Sequence, residues 1–341
     1  MRILLIGATG FIGSYVSPEL QSLGHRVCVF HRGKSPVTNA EEIIGDRRCL
    51  ADNLTDFRRF APDVVVELIL SSRVQAEQFM NVFRGLARRA VVLSSMDVYR
   101  AAGILHGTES GPLQALPLTE ISEVRRNRQV YPAASVKALQ NVFEWLDEEY
   151  DKVSVEQTMQ NDAALPVTVL RLPMVYGPGD RLHRLFPILK RITDGRRNLL
   201  FASDTAAWRG SRGYVENVAH AIALAATLDQ AARRVYNIAE PATFTELEWA
   251  TLVARTAGWH GDFVTLPAEK APTHLRSPNN LAQHWVANSQ RIREELGYAE
   301  LISLDEGLRR TIAWERQNPP SQVDSRQFDY DAEDKALAEF S

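Results

Sequence analysis

The chain has 341 residues, which suits one large domain with a smaller partner better than a single minimal core. Apolar residues make up 45% of it, charged residues 24%, and the formal net charge is −3; this balance argues against a nucleic-acid-binding protein, since such proteins usually present a basic face. The two cysteines, Cys28 and Cys49, are too few for a disulfide framework and favour a reducing compartment.

The N-terminal segment contains a strand, a glycine-rich turn, a helix and a second strand. Residues 3–6 are a continuous apolar run, as in a buried parallel strand. The turn 7–13 follows, and apolar residues then recur at helical spacing until Gly24, a residue type that often ends helices. Residues 27–30 form the second apolar run, which completes the unit within about 30 residues.

The same alternation of strands and helices continues along the chain. Further strands are predicted at residues 43–46, 64–70, 90–95, 168–172 and 234–238, and further helices at 75–86, 185–192, 218–228, 247–257 and 289–296. This order predicts an α/β fold, a doubly wound parallel Rossmann sheet with a smaller C-terminal substrate domain.

We expect three regions: a dinucleotide-binding Rossmann domain over 1–178, a mainly substrate-binding domain over 179–318, and an acidic tail over 319–341. Residues 213–240 of the second region should return to the Rossmann sheet, and the tail is expected to be loosely held because it is rich in Pro, Ser, Gln and acids.

The middle of the first domain carries two less regular predictions. Residues 100–130 are rich in Gly, Pro, Thr and Arg and are predicted to be a long surface excursion, with the run 125–128 as solvated charge. A helix is predicted from Ala133 to Met159. Its proposed apolar stripe comprises Val136, Leu139, Phe143, Leu146, Tyr150 and Val153.

The glycine-rich turn carries the clearest functional signal. Gly7 permits the tight turn out of the strand, Gly10 lets a pyrophosphate approach the backbone, and Gly13 lets the helix pack closely on the strand. Free N–H groups and the helix dipole then favour an anion at the helix start. The turn therefore predicts a dinucleotide site.

The motifs resemble those of short-chain dehydrogenases/reductases, in particular their extended epimerase/dehydratase branch. The glycine spacing matches, 94–99 resembles "SSxxVYG" with Arg100 in place of the last Gly, 170–179 resembles "LRxxNVYGPG", and 212–219 resembles "RDxxxVxDxA". The resemblance extends to about residue 318. It implies a nicotinamide cofactor, a small-molecule substrate such as a sugar nucleotide or a related hydroxyl or carbonyl compound, and a homodimer.

The second strand ends without the acid that usually binds the ribose 2′-hydroxyl of NAD. Arg32 stands there instead and is suited to a 2′-phosphate, which favours NADP(H) over NAD(H); the alternative is that Arg32 lies over the adenine. The resemblance assigns the adenine contact to Asp46 and Arg47. The complete predicted cofactor set is Gly7, Thr9, Gly10, Phe11, Ile12, Gly13, His31, Arg32, Asp46, Arg47, Leu68, Lys152 and Pro173.

The resemblance also implies a catalytic Tyr and Lys four residues apart on a helix, but no such pair is present in this region. The best register, 148–156, resembles "YxxSKxxxE", with Lys152 in place and Glu148 at the Tyr position. On a regular helix Tyr150 would point about 200° away from Lys152. Packing and catalysis therefore both remain open for Tyr150.

Other catalytic assignments follow from the same resemblance. Ser95 falls on the catalytic Ser/Thr position, and Asp97 falls where dehydratases carry an acid. A rival register uses Tyr131 and Lys137, six residues apart and therefore on different helix faces, although Tyr131 could fold back from its loop into the site. Two functions stay open: an epimerase, dehydratase or reductase, and a catalytically degenerate NADP(H)-binding sensor or partner-binding protein.

The predicted substrate site departs from the family pattern. Met174 replaces an Asn that usually binds the diphosphate side of the substrate, and Gly213 replaces an Asp; both changes indicate an altered pocket. Arginines nearby are suited either to an anionic substrate or to solvent. The predicted substrate-binding residues are Met174, Arg181, Arg209 and Arg212, with Arg184 as a further cation.

Metal and membrane sites are not expected. The eight histidines show no metal-ligand spacing with Cys or acidic residues. The chain has no apolar run near the ~18 residues of a membrane span, and its first apolar run is too short for a secretory signal. We therefore expect a cytoplasmic protein.

Overall fold

The computed structural model describes residues 1–34, 37, 39–160 and 162–340. A seven-stranded parallel sheet in the order β10-β6-β5-β4-β1-β2-β3 forms the centre. Two pairs, β7–β9 and β8–β11, form small separate sheets. The strands are β1 Arg2–Ile6, β2 Arg26–His31, β3 Glu41–Ile44, β4 Val64–Glu67, β5 Arg89–Ser95, β6 Val167–Leu172, β7 Met174–Tyr176, β8 Asn198–Ala202, β9 Arg212–Tyr214, β10 Val235–Asn237 and β11 Asp262–Leu266.

Helices cover both faces of the central sheet and recur throughout the C-terminal half. They are α1 Gly13–Ser22, α2 Leu54–Phe60, α3 Arg73–Phe83, α4 Arg100–Leu105, α5 Ala133–Val142, α6 Lys152–Gln160, α7 Phe186–Thr193, α8 Ser203–Ala207, α9 Val215–Thr227, α10 Glu246–Thr256, α11 Gln290–Leu296, α12 Leu304–Gln317 and α13 Tyr330–Phe340.

Alternate residues of β1 show how the sheet is buried. Ile3 and Leu5 pack in one apolar cluster with residues of α1 and α9, whereas Leu4 and Ile6 pack in another with residues of α3 and α6. All four side chains are fully buried, as expected for a strand covered on both faces. The predicted doubly wound Rossmann-type architecture is confirmed.

The strand order places a topological switch point beside β1. The chain runs from β1 outward through β2 and β3, and then returns to build β4, β5, β6 and β10 on the other side. Ligands of open α/β sheets bind outside the carboxyl ends of the strands at such a point. The glycine-rich turn that follows β1 lies there. Residues 235–237 pair with β6, so this part of the C-terminal half returns to the sheet.

The prediction of a single helix from Ala133 to Met159 is wrong. The structure has α5 and α6 with residues 143–151 between them, so the proposed apolar stripe does not exist. The break has a local cause: the Asp151 carboxylate accepts the backbone N–H groups of Val153 (3.1 Å) and Ser154 (3.3 Å). Such capping starts a new helix at Lys152.

The prediction that the acidic tail, residues 319–341, is loosely held is also wrong. Residues 330–340 form α13, and Glu333 on this helix is fully buried in an ion pair with Arg191 of α7 at 2.7 Å. Ala336 and Leu337 pack against the apolar cluster of β8 and β11. The final residue of the predicted tail lies outside the described residues.

The 100–130 region is more buried than a surface excursion. Helix α4 is almost entirely buried, and Leu118 and Val130 are core residues. The Arg125 side chain is fully buried and ion-paired with Asp151 at 3.0 Å, so solvation is the wrong prediction for it, although the next three residues are exposed.

Candidate active site at the carboxyl edge of the sheet

The turn after β1 has the shape that its three glycines predict. Gly7 has φ +87°, in the region that favours glycine. A Cβ on Gly13 would lie 2.4 Å from the Ala8 Cα, so any side chain there would push α1 off the turn. A Cβ on Gly10 would approach only the Gly7 carbonyl oxygen, at 3.4 Å, and Gly10 is exposed. Gly10 therefore leaves open space above the turn.

The start of α1 is free to receive an anion. Its N-cap residue, Ile12, makes no side-chain cap and no acid lies in the first turn. Within the described residues, the backbone N–H groups of Phe11, Ile12 and Gly13 have no protein acceptor. Unpaired N–H groups at a helix N-terminus fit the pyrophosphate of a dinucleotide.

Two cations lie beyond the end of β2 and share one carboxylate. Arg32 and Lys34 are exposed and contact Glu144 at 2.9 and 3.2 Å. Glu144 belongs to the segment between α5 and α6, which also reaches the start of α3, just after β4, where Asp147 accepts a hydrogen bond from Ser72 at 2.7 Å. Because β1 lies between β2 and β4, this segment spans the switch point.

The other residues assigned to the cofactor are partly interior. His31 and Leu68 are buried, and Pro173 is half-buried, whereas Thr9 is exposed. The remaining two residues follow β3: Asp46 caps the next turn and pairs with Arg48, and Arg47 is buried.

The Arg47 guanidinium lies in the interior, because it pairs with the fully buried Glu67 at 3.2 Å and donates to the Gln75 carbonyl at 2.9 Å. The Asp46 carboxylate accepts the Arg48 N–H at 2.9 Å.

Lys152 is buried at the first position of α6, between β4 and β5. Its Nζ donates to the carbonyls of Leu70 and Leu93, the latter at 3.0 Å, and lies 5.9 Å from the Trp145 ring centre. Burial lowers the pKa of Lys152 to about 8, against the opposing charges of Asp97 and other acids. An ammonium has three N–H donors, so one remains for a ligand.

Asp97 is the centre of a polar cluster at the end of β5. Its fully buried carboxylate accepts the Tyr150 hydroxyl at 2.6 Å and the Tyr131 hydroxyl at 3.3 Å, both on Oδ2. The other oxygen, Oδ1, is buried without a hydrogen-bond partner among the described residues. Burial, followed by the Asp97 charge, raises the pKa of both tyrosines well above the usual 10. The Ser95 Oγ accepts the Asp97 backbone N–H at 3.1 Å, which holds Ser95 beside this cluster.

A buried ion pair fixes α6 against the sheet. Glu156 accepts Arg171 of β6 at 2.7 Å and the Ser94 hydroxyl at 2.6 Å. The Arg171 guanidinium also lies 4.7 Å from the Tyr99 ring centre. These contacts hold the Lys152 end of α6 against β5, so they position the cluster.

The Tyr-like position taken by Glu148 is not on a helix. Glu148 precedes α6 and is exposed, so the one-turn spacing to Lys152 expected from the register is wrong. Tyr150 also precedes α6, so the regular-helix geometry that would point its side chain about 200° away from Lys152 does not apply. Glu148, Tyr131, Tyr150 and Lys137 line a cavity of about 540 Å³.

A second cavity of about 400 Å³ lies between β7, α7, β8 and α10, and we call it the α7–α10 cavity. Met174 and Arg212, two of the predicted substrate-binding residues, line it together with Arg184. Arg181 and Arg209 are exposed and are not among its lining residues. Arg181 donates instead to the Val142 carbonyl at 3.1 Å, on the segment that precedes Glu144.

Several residues of the site carried no sequence signal that identified them. Glu144 and Glu333 lie in charged stretches whose side chains usually face solvent. Asp151 stands at the Ser position of the family motif, and its ion-pair partner Arg125 lies 26 residues earlier in the chain. For Tyr131, the sequence indicates only that it could fold back from its loop into the site.

No cluster of His, Cys and acidic residues suited to a metal ion occurs within residues 1–34, 37, 39–160 and 162–340. In the same part of the chain, the helices are too short or too polar to cross a bilayer.

Comparisons with known proteins agree with this architecture. The 2-alkyl-3-oxoalkanoate reductase of Stenotrophomonas maltophilia (strain K279a) is 27% identical over 354 residues, which cover 92% of this chain and 99% of the reductase. The structure of UDP-glucose 4-epimerase with UDP-glucose from Thermotoga maritima superposes with a TM-score of 0.66 at 19% identity, over 94% of this chain and all of that one. The dTDP-glucose 4,6-dehydratase of Bacillus anthracis in complex with NAD gives 0.64 at 19% identity, over 93% and 97% of the two chains. Residues 3–239 match one family directly, and the chain therefore belongs to the NAD dependent epimerase/dehydratase family.

Proposed function

We propose that the chain is an NAD(P)-dependent oxidoreductase that interconverts a hydroxyl and a carbonyl group on a small molecule, with Tyr150 as its proton-transferring residue. The observation that carries the proposal is the hydrogen bond of 2.6 Å between Tyr150 and Asp97. Lys152 is buried nearby, and the three residues lie at the carboxyl end of β5. The cluster lies at the carboxyl edge of the sheet, as does the glycine turn, where ligands of such folds bind.

The residues present fit a nicotinamide dinucleotide. The turn 7–13 and the start of α1 would hold the pyrophosphate, and the remaining N–H of Lys152 would hold a ribose hydroxyl. Arg32 and Lys34 would bind a 2′-phosphate once Glu144 is displaced, which favours NADP(H) over NAD(H). When bound, the dinucleotide supplies or accepts a hydride, which is the redox part of the reaction.

Tyr150 would work as a relay rather than as a free phenolate. A bare phenolate beside Asp97 is unfavourable, because burial and that carboxylate raise the pKa of the phenol. In alcohol oxidation the substrate hydroxyl gives its proton to the Tyr150 oxygen while Tyr150 gives its own proton to Asp97, and the substrate carbon loses a hydride. Reduction runs these transfers backwards from the protonated Asp97. The Ser95 hydroxyl would donate a hydrogen bond to the same substrate oxygen.

Support for a hydroxyl or carbonyl substrate comes from both kinds of relative. The curated relative is named as a reductase of a 3-oxoalkanoate, and the solved neighbours are an epimerase crystallised with UDP-glucose and a dTDP-glucose dehydratase. Each named reaction involves a hydroxyl-bearing or carbonyl-bearing carbon. A sugar nucleotide and a non-nucleotide hydroxyl compound are therefore the two substrate classes to compare.

The decisive experiment follows NADPH or NADH absorbance with a panel of ketones, 3-oxoacids and sugar nucleotides. We expect turnover with at least one carbonyl class, and a loss of about 10²-fold or more in kcat for Tyr150→Phe, as for removal of a general acid. If the dinucleotide binds but no class turns over, the oxidoreductase proposal is wrong. The chain would then be a catalytically degenerate NADP(H)-binding protein.

A further inference from the structure

The α7–α10 cavity is lined mainly by apolar and aromatic side chains. Ile188 and Leu199 contribute aliphatic surface, and Tyr176 and Trp249 contribute rings packed 5.0 Å apart, edge to face. Its volume of about 400 Å³ lies in the usual range for small-molecule sites. Among the described lining residues, the permanently cationic groups that could attract an anion are three arginines.

Arg212 is already neutralised by a neighbouring acid. Its guanidinium contacts Glu246 at 2.6 Å, donates to the Gly210 carbonyl at 3.1 Å and lies 4.4 Å from the Trp249 ring centre. Glu246 itself lines the cavity. An anion placed on Arg212 would therefore lie close to a carboxylate.

The other two arginines are neutralised in the same way. Arg184 contacts Asp180 at 2.8 Å. Arg191 donates to the buried Glu333 from Nε at 3.1 Å and from Nη2 at 2.7 Å. Its Nη1 and Nη2 also donate to the Pro187 and Gln327 carbonyls at 3.0 and 2.9 Å. All three nitrogens of the Arg191 guanidinium are thus occupied.

Glu333 comes from α13, at the far end of the chain, and serves two cavity residues. Besides Arg191 it contacts the His274 Nε2 at 3.0 Å, and its side chain is fully buried. Helix α13 therefore supplies the negative charge that balances this side of the cavity.

We infer that the α7–α10 cavity holds an uncharged, apolar part of the substrate rather than a nucleoside diphosphate, and that Glu333 of α13 sets this specificity. The inference rests on the proposed function, whose substrate class it names. A diphosphate would have to displace the carboxylate partners of these arginines, and the side chains of Asp180 and Glu333 are 2% and 0% exposed, unlike the exposed Glu144 beside Arg32. An apolar chain or ring instead gains free energy by covering the aliphatic and aromatic lining.

The test measures binding rather than turnover, by isothermal titration calorimetry of the full chain with 2-decanol and, separately, with UDP. We expect 2-decanol to bind and UDP not to bind over the same concentration range. Ile188→Trp, which fills the cavity, should abolish 2-decanol binding. Glu333→Gln should bring UDP binding into the measured range, at least about tenfold tighter than the limit set by the parent chain, because it removes the carboxylate charge that balances Arg191. Glu339→Gln, on the exposed part of the same helix, is the matched control and should change neither.

UDP binding to the unaltered chain in preference to 2-decanol would overturn the inference, and so would 2-decanol binding that survives Ile188→Trp. If Glu333→Gln does not fold, the Ile188→Trp comparison decides the matter alone. The outcome is separable from the proposed reaction: a chain that binds 2-decanol at this cavity but never oxidises a secondary alcohol or reduces a ketone keeps the inference about the cavity and refutes the oxidoreductase.

Discussion

Replacing Tyr150 with Phe removes one oxygen from the centre of the site and leaves the ring in place. In the structure this hydroxyl donates to the Asp97 carboxylate at 2.6 Å, whereas the Tyr131 hydroxyl approaches the same oxygen at 3.3 Å. Only the shorter contact is within the ordinary range of an O–H···O hydrogen bond. The two tyrosines thus form a matched pair for substitution, since both contact Asp97 and their rings are 6.0 Å apart.

The expected magnitudes follow from these two distances. Loss of a general acid should lower kcat by about 10²- to 10⁴-fold in Tyr150→Phe. A hydrogen bond to a charged group contributes about 1.5–3 kcal/mol, so the same variant should lose about that much free energy of unfolding. Tyr131→Phe loses a longer and weaker contact and should keep kcat within about tenfold of the parent value, since this hydroxyl is not assigned a proton-transfer role.

The assay pairs steady-state kinetics on the best carbonyl substrate with urea unfolding of both variants. Cofactor affinity, followed by NADPH fluorescence, should be unchanged in both, because neither hydroxyl is assigned to the dinucleotide. The reasoning is refuted if Tyr131→Phe is the inactive variant while Tyr150→Phe keeps more than a tenth of the activity. That result would assign the proton transfer to the loop tyrosine.

Three further outcomes are expected. Burial lowers the pKa of Lys152 to about 8 and its protonated form is required, so kcat/KM should fall about tenfold per pH unit above pH 8. In a profile from pH 6 to 10, Lys152→Arg should lose this alkaline decrease. An unchanged decrease would show that another group titrates there. Glu144→Gln should tighten NADP(H) binding about two- to fivefold and leave NAD(H) binding unchanged, because Glu144 competes for Arg32; equal effects on both cofactors would contradict the 2′-phosphate assignment. Arg125→Ala leaves Asp151 unpaired in the interior and should cost about 3–5 kcal/mol in urea unfolding, and a cost under about 1 kcal/mol would show that the pair does not hold the start of α6.

The parts of the fold that sequence predicts are those set by local patterns. The apolar runs at residues 3–6, 27–30 and 64–66 predict central strands, because a strand that is covered on both faces is apolar along its whole length. The glycine turn is likewise local, because the strand before it and the helix after it lie within the same 30 residues.

The parts that sequence does not predict depend on residues far apart in the chain. The start of α6 is set by Asp151, whose orientation depends on Arg125, 26 residues earlier. Periodicity alone predicts one helix across α5 and α6, because the apolar residues between them keep helical spacing by coincidence. Arg191 and Glu333 are 142 residues apart, and a tail rich in acids gives no local sign that one of them is buried.

The catalytic cluster combines both kinds of information. Ser95, Asp97 and Lys152 were placed by family resemblance and do lie together at the end of β5, although their roles remain predictions. The contact of Tyr150 with Asp97 was hidden by the assumption of a regular helix. Once residues 143–151 leave that helix, the two-residue spacing between Tyr150 and Lys152 no longer restricts where the ring points.

The central claim is that the turn after β1 binds a nicotinamide dinucleotide, and a fluorescence titration of the parent chain and of Gly10→Ala with NADPH and NADH tests it most directly. The added methyl meets only the Gly7 carbonyl, at 3.4 Å, so the variant should unfold at the parent temperature while its methyl occupies the space of the pyrophosphate. We predict saturable binding to the parent chain and none to the folded variant. No binding to the parent, or equal affinity in the two proteins, would contradict the account.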